Sequence, residues 1–548
     1  MRSITLLALG ASVVRAQLAL PNPAWQPPNP SNGAQKSNST SKPNPQWSNL
    51  LGDLLYFYEA QRSGTLPSTN RVSWRNSSAI QDGDLEGGYY DAGDYIKCTF
   101  PLSFSLMSIC WGAIDHGQGY DMANQTAYLD DMLRWGLDWL VKAHPNNDTL
   151  YVQVADGNLD NAYWGGDLSI PYPRPAYQIN ATHPGTDAAA QAAAAFAMCS
   201  NLYANRTLGS SYTAPASLQN ATYASTLLTH AEQLYGFAIN TSTHKQQKYQ
   251  EAVPQTAYPS SSYGDDLAIA ALTLAWATNS SDLFSAAQGY YDQYDLATND
   301  SVFNWDAKAP GVNVLAAQLA HANSIFSANV SAWQSRAEAY FDHVIESQDT
   351  TSGGLLWWQG DSDDASLNPA LNFAMLLQRY VPLGSSYAKQ ASYLDVAQRQ
   401  LDYVLGSNPM HVPYVVGVNP NSPSNPHSAA ASGGDNVTAI DTDPEQEAYI
   451  LYGAVIGGPD RQDRYFDLRS DWVETEVALD YNAPMLTLVA MHVANDTTDP
   501  FYTSLQGGAY DSVKPSGTPC DDAMPCAATG HLSTGAKIAI GVCTVGFR

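Results

Sequence analysis

The segment from Gly457 to Ala483 combines carboxyl groups with aromatic rings in a way that suits a reactive cleft. It holds seven Asp or Glu residues together with Tyr465, Phe466, Trp472 and Tyr481. A solvated acidic loop has no need of so many rings, and a core helix does not tolerate so many charges. The combination indicates a site in which carboxyl groups do acid/base chemistry on a ligand that stacks against aromatic side chains.

A second, shorter segment, Gly87–Asp94 (GGYYDAGD), repeats this pattern far upstream. Asp91 and Asp94 are three residues apart in a glycine-containing loop, so both carboxyl groups can face one direction. One of two close carboxylates can hold a water molecule that the other deprotonates. On spacing alone, an exposed or helix-capping pair is the alternative. The glycine and aromatic frame favours a site, and two carboxylate segments meeting across one site are what glycosidic hydrolysis requires.

Glu476 has the surroundings that a general acid needs. Such an acid must stay protonated near the working pH, which apolar or negatively charged neighbours promote. Trp472 and Val477 supply apolar contacts nearby in the chain, and Asp467 and Asp471 supply negative charge. The alternative is an acidic first turn of a helix.

The composition excludes some classes of partner. The chain has 548 residues and a formal net charge of −27, which argues against nucleic acid because phosphate binding depends on Lys and Arg clusters. Only 14% of the residues are charged, whereas 33 are Tyr and 13 are Trp. A neutral polar surface rich in rings fits an uncharged, polyhydroxylated ligand.

The chain divides into four parts. Residues 1–16 are typical of a secretory signal peptide, and residues 17–46 are a Pro/Asn/Ser-rich linker. Residues 47–495 form the predicted catalytic domain, and residues 496–548 a Gly/Ser/Thr-rich tail. The apolar stretch 536–548 is too short to span a bilayer. It is either the start of a truncated membrane anchor or an apolar tail that adheres to other surfaces. We therefore predict a secreted, extracellular, soluble monomer.

N-glycosylation sequons also indicate export, whereas the cysteines leave their pairing open. Six cysteines in so long a chain are not a disulfide scaffold. Cys520 and Cys526 could close a small loop, while for Cys98, Cys110 and Cys199 a bridge and a buried free thiol stay open. The sequons include Asn76, Asn124, Asn147, Asn180, Asn279 and Asn436.

Helical periodicity dominates residues 47–495. Leu129, Leu133, Leu137 and Leu140 share one helix face, and the Ala-rich run AAAQAAAAFA after Gly185 predicts a closely packed inner helix. About a dozen such segments and few strand patterns predict an all-α toroid of paired helices. The loops at one end would carry the site.

The chain resembles family 9 glycoside hydrolases, the inverting β-1,4-glucanases also called family E cellulases. The resemblance covers residues 47–491, and its main motifs are FYEAQRSG at 57–64, GGYYDAGD at 87–94 and GGPDxxDxYxDxRxDWxxxE at 457–476. It implies an (α/α)6 barrel of about twelve helices, with long loops forming an open cleft at one end.

The resemblance also implies roles for particular residues. Asp94 would be the general base that activates the attacking water, and Asp91 would hold the same water. Glu476 would protonate the leaving oxygen, with Asp467 supporting it. His427 would be an active-site histidine, although alone it would read as a solvated surface residue.

Tyr481 would contact the sugar near the cleavage point. Trp164, Trp305, Trp357 and Trp358 are candidate stacking platforms, although a single Trp is more often part of a core. Arg174 would either reach a sugar hydroxyl or pair with a carboxylate.

The chain departs from the family pattern at some sugar contacts. Ala429 stands where the family has an arginine after the histidine, and Asn161 stands where many members have a histidine. We therefore expect hydrolysis with altered subsites, and the cellulose assignment is weaker than the β-glucan one.

No cofactor is required for this chemistry, but the resemblance implies a structural calcium ion, since hard cations prefer clustered carboxylate and carbonyl oxygens. The alternative places Asp265 and Asp266 at a helix N-terminus, where the dipole favours them. The implied ligands are Asp265, Asp266, Asp306, Ser261 and Ser262.

The leading hypothesis is a secreted endo-β-1,4-glucanase that inverts the anomeric carbon. Inversion requires room for a water, which predicts the carboxyls of Asp94 and Glu476 about 6.5–9.5 Å apart. The main alternative is a non-hydrolytic carbohydrate-binding wall protein derived from the same fold. A third hypothesis, an (α/α)6 hydrolase of α-linked sugars, is disfavoured by the 457–483 motif.

Overall fold

The structure is a computed structural model that describes residues 17–526 apart from 210, 243, 254, 255 and 299. The predicted signal peptide (1–16) and the apolar stretch 536–548 lie outside the described residues. Among the helices that are described, none is both long enough and apolar enough to cross a membrane.

Twelve α-helices of 13 to 19 residues build most of the described chain. They are α1 (Pro45–Ala60), α2 (Thr99–His116), α3 (Thr126–Ala143), α4 (Thr186–Tyr203), α5 (Ala221–Ile239), α6 (Gly264–Thr278), α7 (Ser281–Gln293), α8 (Ala309–Ala322), α9 (Val330–Ser347), α10 (Leu367–Tyr380), α11 (Tyr387–Val404) and α12 (Leu479–Asn495).

The even-numbered helices form a closed inner ring. Each of α2, α4, α6, α8, α10 and α12 packs against the next, and α12 packs against α2. These helices are buried on nearly every side, whereas most of the odd-numbered helices bury one face. Alanine side chains in α4 and α6 let neighbouring backbones approach closely, which fits the inner position. The predicted (α/α)6 barrel is confirmed.

Short elements lie between the barrel helices. The short α-helices are Pro30–Gly33, Gln118–Met122, Gly157–Asn161, Asp361–Asp364, Ala429–Ser432 and Trp472–Thr475. The 3-10 turns are Ile80–Leu85, Asp167–Ser169, Ala216–Leu218, Tyr249–Glu251, Ser324–Asn329, Val381–Leu383 and Phe501–Ser504.

A small antiparallel sheet lies beside the predicted base loop. Its strands β1 (Lys97–Cys98), β2 (Thr149–Val154) and β3 (Ala176–Asn180) lie in that order. Lys97 pairs with Val154, so the residues that precede β1 run alongside those that follow β2. The sheet therefore brings residues near 94 close to residues near 160.

Two disulfides are present among the described cysteines. Cys110 of α2 is bonded to Cys199 of α4, which joins two neighbouring inner helices, and Cys520 is bonded to Cys526. Cys98 is a buried free thiol. The small loop closed by Cys520 and Cys526 agrees with the prediction, and the open question for Cys110 and Cys199 is resolved in favour of a bridge.

The segments that flank the barrel pack against it. Leu18, Leu20 and Trp25 contact the core, and the Asn44 side chain donates to Asp499 at 2.8 Å. In the tail, the Tyr510 hydroxyl donates to a barrel-loop carbonyl at 2.9 Å. The described part of the predicted linker, residues 17–46, is therefore packed and not detached from the rest of the chain.

Candidate active site

The predicted base loop is held by main-chain hydrogen bonds. Asp91 N–H donates to the Ile96 carbonyl at 2.9 Å, and Leu479 N–H at the start of α12 donates to the Asp91 carbonyl at 3.1 Å. Asp91 is only 2% exposed, whereas Asp94 is partly exposed. The loop thus fixes one carboxyl in the interior and presents the other to solvent.

The predicted acid follows a short helix, Trp472–Thr475. Asp471 caps this helix by accepting from Glu474 N–H at 3.3 Å. Glu476 then leaves the helical conformation, and its carbonyl accepts from Gly457 N–H at 2.9 Å. The side chain of Glu476 is partly exposed.

The acid loop and the base loop meet at Gly93. Gly93 N–H donates to the Glu476 carboxyl, and the Gly93 carbonyl accepts from Ala429 N–H at 2.7 Å. A Cβ atom at position 93 would lie 2.1 Å from the His427 carbonyl oxygen, so only glycine allows this approach. Because Asp94 is the next residue, the two predicted catalytic carboxyls share one site.

Several carboxyl groups raise one another's pKa in this site. Burial, then the charges of Asp94 and Asp91, raise the pKa of Glu476 well above its usual range. Burial raises the pKa of Asp480 to about 7, and burial, with the charge of Asp480 adding to it, raises the pKa of Asp91 well above its usual range. A carboxyl that stays protonated near neutral pH can serve as a general acid, which suits Glu476.

Two residues of the site were not anticipated from the sequence. The Tyr258 hydroxyl donates to Asp91 Oδ2, and the Asp160 carboxyl is hydrogen-bonded to that of Asp94. Tyr258 lies in a Ser/Thr/Pro-rich loop that shows no sequence signal. Asp160 directly precedes Asn161, which was noted only as a departure from the family pattern.

His427 lies in the site and is oriented by its surroundings. Its Nδ1 lies 2.5 Å from the Arg469 carbonyl oxygen, which can only accept, so Nδ1 carries the proton. Burial lowers the pKa of His427, and a neutral ring with this tautomer leaves Nε2 as an acceptor. The ring packs against Trp164, with centroids 4.9 Å apart.

Asp467 acts on the histidine loop. Its carboxylate accepts from Ser424 N–H at 3.1 Å, from Asn425 N–H at 3.0 Å and from the Tyr465 hydroxyl at 3.1 Å. These bonds shape the turn that leads to His427. Asp467 therefore orients the loop of His427, which pairs with Glu476, and its support of the acid stays a prediction.

The predicted sugar-binding residues separate into two groups. Trp305 and Tyr481 are partly exposed, and Trp305 makes an edge contact with the Tyr258 ring at 4.9 Å between centroids. They remain candidates for contact with a sugar. Trp357 is 3% exposed and Trp358 is packed in the core, so neither offers a ring face.

The expectation for Trp164 is corrected, and one of the two alternatives for Arg174 is selected. Trp164 is 4% exposed and supports the His427 ring instead of forming an open platform. The Arg174 guanidinium pairs with Asp82 at 2.9 Å and donates to the Tyr95 carbonyl at 2.9 Å. Arg174 thus braces the base loop, the carboxylate-pairing alternative of its prediction.

Several of the implied calcium ligands already have partners within the protein, and a calcium ion there stays a prediction. The Lys308 ammonium lies 2.9 Å from Asp266 Oδ1, and Lys308 N–H donates to Asp265 at 2.7 Å. Asp306 accepts from Ser261 N–H at 2.7 Å. No group of three or more His, Cys, Asp or Glu suited to a metal occurs among the described residues. The buried ammonium supplies the positive charge here.

Comparison with known proteins places this site in a family. Residues 47–489 match the family model described as Glycosyl hydrolase family 9. Endoglucanase A of Bacillus pumilus is 35% identical over 459 residues, which cover 81% of this chain and 66% of that protein. Endoglucanase 15 of Arabidopsis thaliana is 36% identical over 481 residues, which cover 80% of this chain and 92% of that protein.

A solved structure agrees with these matches. The endoglucanase from the termite Nasutitermes takasagoensis superposes with a TM-score of 0.72 at 35% identity, covering 82% of this chain and 98% of that one. The chain therefore spans about two thirds of the length of the bacterial relative and nearly all of the plant and termite proteins.

Proposed function

The chain belongs to glycosyl hydrolase family 9, and from this premise we infer that it is an endo-β-1,4-glucanase whose acid is Glu476 and whose base is Asp94. The observation that carries these roles is the Gly93 contact. Gly93 lies against the His427 segment, which pairs with Glu476 across a parallel β-bridge, and Gly93 directly precedes Asp94, so the two carboxyls belong to one site.

Hydrolysis in this site inverts the anomeric carbon. Glu476 donates its proton to the glycosidic oxygen as the bond from the anomeric carbon to that oxygen breaks. A water molecule attacks the same carbon from the opposite face, forming the new carbon–oxygen bond, and its proton passes to Asp94. Asp91, fixed by Tyr258, helps to orient the water.

The protonation states required by this reaction follow from the surroundings. Glu476 is buried among carboxylates, which favours its neutral form. Asp94 accepts hydrogen bonds from Asp160 and from Ile96 N–H, and both favour its ionised form. Acid and base are thus distinguished within one acidic cleft.

Replacing Glu476 by Gln tests the acid assignment. Loss of a general acid costs about 10²–10⁴-fold in rate, so kcat on carboxymethylcellulose should fall by that range while binding persists. Glu232→Gln, at an exposed position of α5, is the matched control and should keep wild-type activity. Full activity in Glu476→Gln would refute the assignment.

Two product measurements test the rest of the proposal. Proton NMR of the first products should show the α-anomer, because inversion of a β-linkage gives that configuration. Reducing-sugar release across cellulose and mixed-linkage β-glucans identifies the preferred polymer. Release from none of them would favour the non-hydrolytic carbohydrate-binding alternative.

We also propose that the protein is exported, N-glycosylated and monomeric. Five of the sequon asparagines named above are exposed: Asn76, Asn124, Asn147, Asn279 and Asn436. Disulfides are typical of secretory proteins, and two are present. N-terminal sequencing should show cleavage near residue 16, a glycosidase should lower the apparent mass, and light scattering should give one chain per particle.

A further inference from the structure

Asp160 is a buried carboxyl that the reaction described above does not use. It is 3% exposed and lies in the short helix Gly157–Asn161 that follows β2. Antiparallel pairing of β1 with β2 runs this helix alongside the residues that precede Lys97. Asp94 is three residues before Lys97, so the topology brings the two carboxyls together.

Asp160 contacts the loop that carries the base, Asp94. Its Oδ2 accepts from Tyr95 N–H at 3.1 Å, and its carboxyl is hydrogen-bonded to that of Asp94. Two carboxyls joined in this way share one proton, because two carboxylates would repel each other. Asp94 Oδ1 is buried and has no N–H or hydroxyl partner among the described residues. Asp94 as a whole is partly exposed, so its carboxylate can face both Asp160 and a water in the cleft.

The shared proton belongs on Asp160. Burial, then the Asp94 charge, raise the pKa of Asp160 well above its usual range. Burial raises the pKa of Asp94 as well, but the hydrogen bonds from Asp160 and from Ile96 N–H limit that rise. An O–H donor to a carboxylate forms one of the stronger hydrogen bonds in proteins. The other charged or titratable groups facing this pair are Arg174, Asp91, Glu476 and Cys98.

We propose that Asp160 is a positioning residue for the base: its protonated carboxyl donates to Asp94, fixes the orientation of that carboxylate and keeps it ionised in the working range. The proposal rests on the proposed function, in which Asp94 is the base. Asp160 itself does not touch the sugar, so its effect is on kcat and on pH dependence.

Two substitutions of Asp160 distinguish the loss of its hydrogen-bond donor from the loss of its carboxyl group. Asp160→Asn keeps the shape: its Oδ1 can accept from Tyr95 N–H while its Nδ2 donates to Asp94. Asp160→Ala removes the donor, so the pKa of Asp94 rises and the acid limb of the kcat/KM profile should move up by about 1–2 pH units. Asp160→Asn should keep the acid limb within about 0.5 unit of wild type. KM should be unchanged in both.

A matched control tests the alternative that Asp160 only holds the helix Gly157–Asn161 in place. Asp156 caps the same short helix, accepting from Asn158 N–H at 3.0 Å and from Leu159 N–H at 3.1 Å, but does not contact Asp94. Asp156→Ala should loosen the helix without moving the acid limb. A structural role for Asp160 alone predicts that Asp156→Ala and Asp160→Ala lower kcat alike and move neither limb.

The outcomes distinguish this proposal from the function on which it rests. An acid limb in Asp160→Ala that coincides with wild type, while Asp94→Asn is inactive, overturns the proposal and leaves the proposed function intact. Full activity in Asp94→Asn overturns the proposed function. Infrared difference spectra serve if Asp160→Ala does not fold: a protonated-carboxyl band should disappear in Asp160→Asn at neutral pH, and its persistence contradicts the proposal.

Discussion

Replacing Gly93 by Ala should misalign the acid and the base without removing any catalytic group. A Cβ atom there would lie 2.1 Å from the His427 carbonyl oxygen and 2.9 Å from His427 Cδ2. Ordinary van der Waals contact begins near 3.4 Å. The base loop and the histidine strand would therefore have to separate by more than about 1 Å. Gly93 does not have a positive φ, so the alanine is opposed by space and not by backbone strain.

The magnitude follows from what Gly93 binds. Its N–H donates to the Glu476 carboxyl and its carbonyl accepts from Ala429 N–H, so any displacement moves the acid relative to Asp94. A misplacement of about 1 Å can cost about 10²-fold in rate. That factor corresponds to about 2.7 kcal/mol of transition-state stabilisation. Overpacking should also cost about 1–3 kcal/mol of unfolding free energy.

The assay compares the kcat and the melting temperature of Gly93→Ala with those of a control variant in which a different glycine is replaced by alanine. Gly166→Ala is the control, because a Cβ there meets no atom within 4 Å. Reducing-sugar release from carboxymethylcellulose should fall about 100-fold in Gly93→Ala and stay near wild type in the control. Wild-type kcat with an unchanged melting temperature in Gly93→Ala would refute the close approach on which the acid–base arrangement depends.

Four further experiments probe other parts of the molecule. Tyr258→Phe removes the donor to buried Asp91 and should lower kcat about 10-fold or more; an unchanged kcat would show that Asp91 does not need it. Cys110→Ser opens the disulfide to Cys199, 89 residues apart, and loop entropy predicts a loss of about 4–5 kcal/mol in chemical denaturation, against which a loss below about 1 kcal/mol would count. Burial raises the pKa of Asp187 to about 7, above its unfolded value of about 3.9. The folded state therefore favours protonated Asp187, and the contribution of this residue to the free energy of unfolding is complete below about pH 4 and lost as pH rises through 7. Melting temperature should fall from about pH 5 to 8, and Asp187→Asn should flatten that fall; an identical slope would contradict it. Chelation should lower the melting temperature, and added calcium should restore it, if the predicted ion is bound; no shift on chelation would count against the ion.

The helices were predictable from the sequence because their periodicity is local. Apolar stripes such as that of α3 and the alanine run of α4 mark amphipathic and fully buried helices respectively. The number of helices came from the family resemblance and not from periodicity. Closure of the ring requires contact between α12 and α2, which are far apart in the chain, and no local pattern encodes that contact.

The site was predicted where motifs carry it and missed where long-range contacts do. Asp94, Asp91 and Glu476 lie in dense carboxylate and aromatic segments that are visible in the sequence. Tyr258 reaches Asp91 across 167 residues from an unremarkable loop, and Asp160 reaches Asp94 through strand pairing. Their roles depend on tertiary geometry, which spacing along the chain does not reveal.

The flanking segments show what composition alone leaves out. Pro, Asn and Ser between residues 17 and 46 predict a linker, and the short helix Pro30–Gly33 and the start of α1 are the helical elements described there. The same polar side chains nevertheless bind the segment that follows α12: the Ser37 hydroxyl and the Asn44 side-chain amide both donate to Asp499. Low helix propensity therefore does not imply that a segment is unpacked.

The cleft must hold one carboxyl protonated and another ionised within a single acidic environment. Burial raises the pKa of both Glu476 and Asp94, so burial cannot distinguish them. The hydrogen-bond donors do: Glu476 receives Gly93 N–H, whereas Asp94 receives the Asp160 carboxyl and Ile96 N–H and lies near His427. Because donors to a carboxylate favour its charged form, their unequal distribution assigns the two roles. Activity should accordingly begin, as pH rises, where the donors to Asp94 first keep it ionised, and end where Glu476 loses its proton.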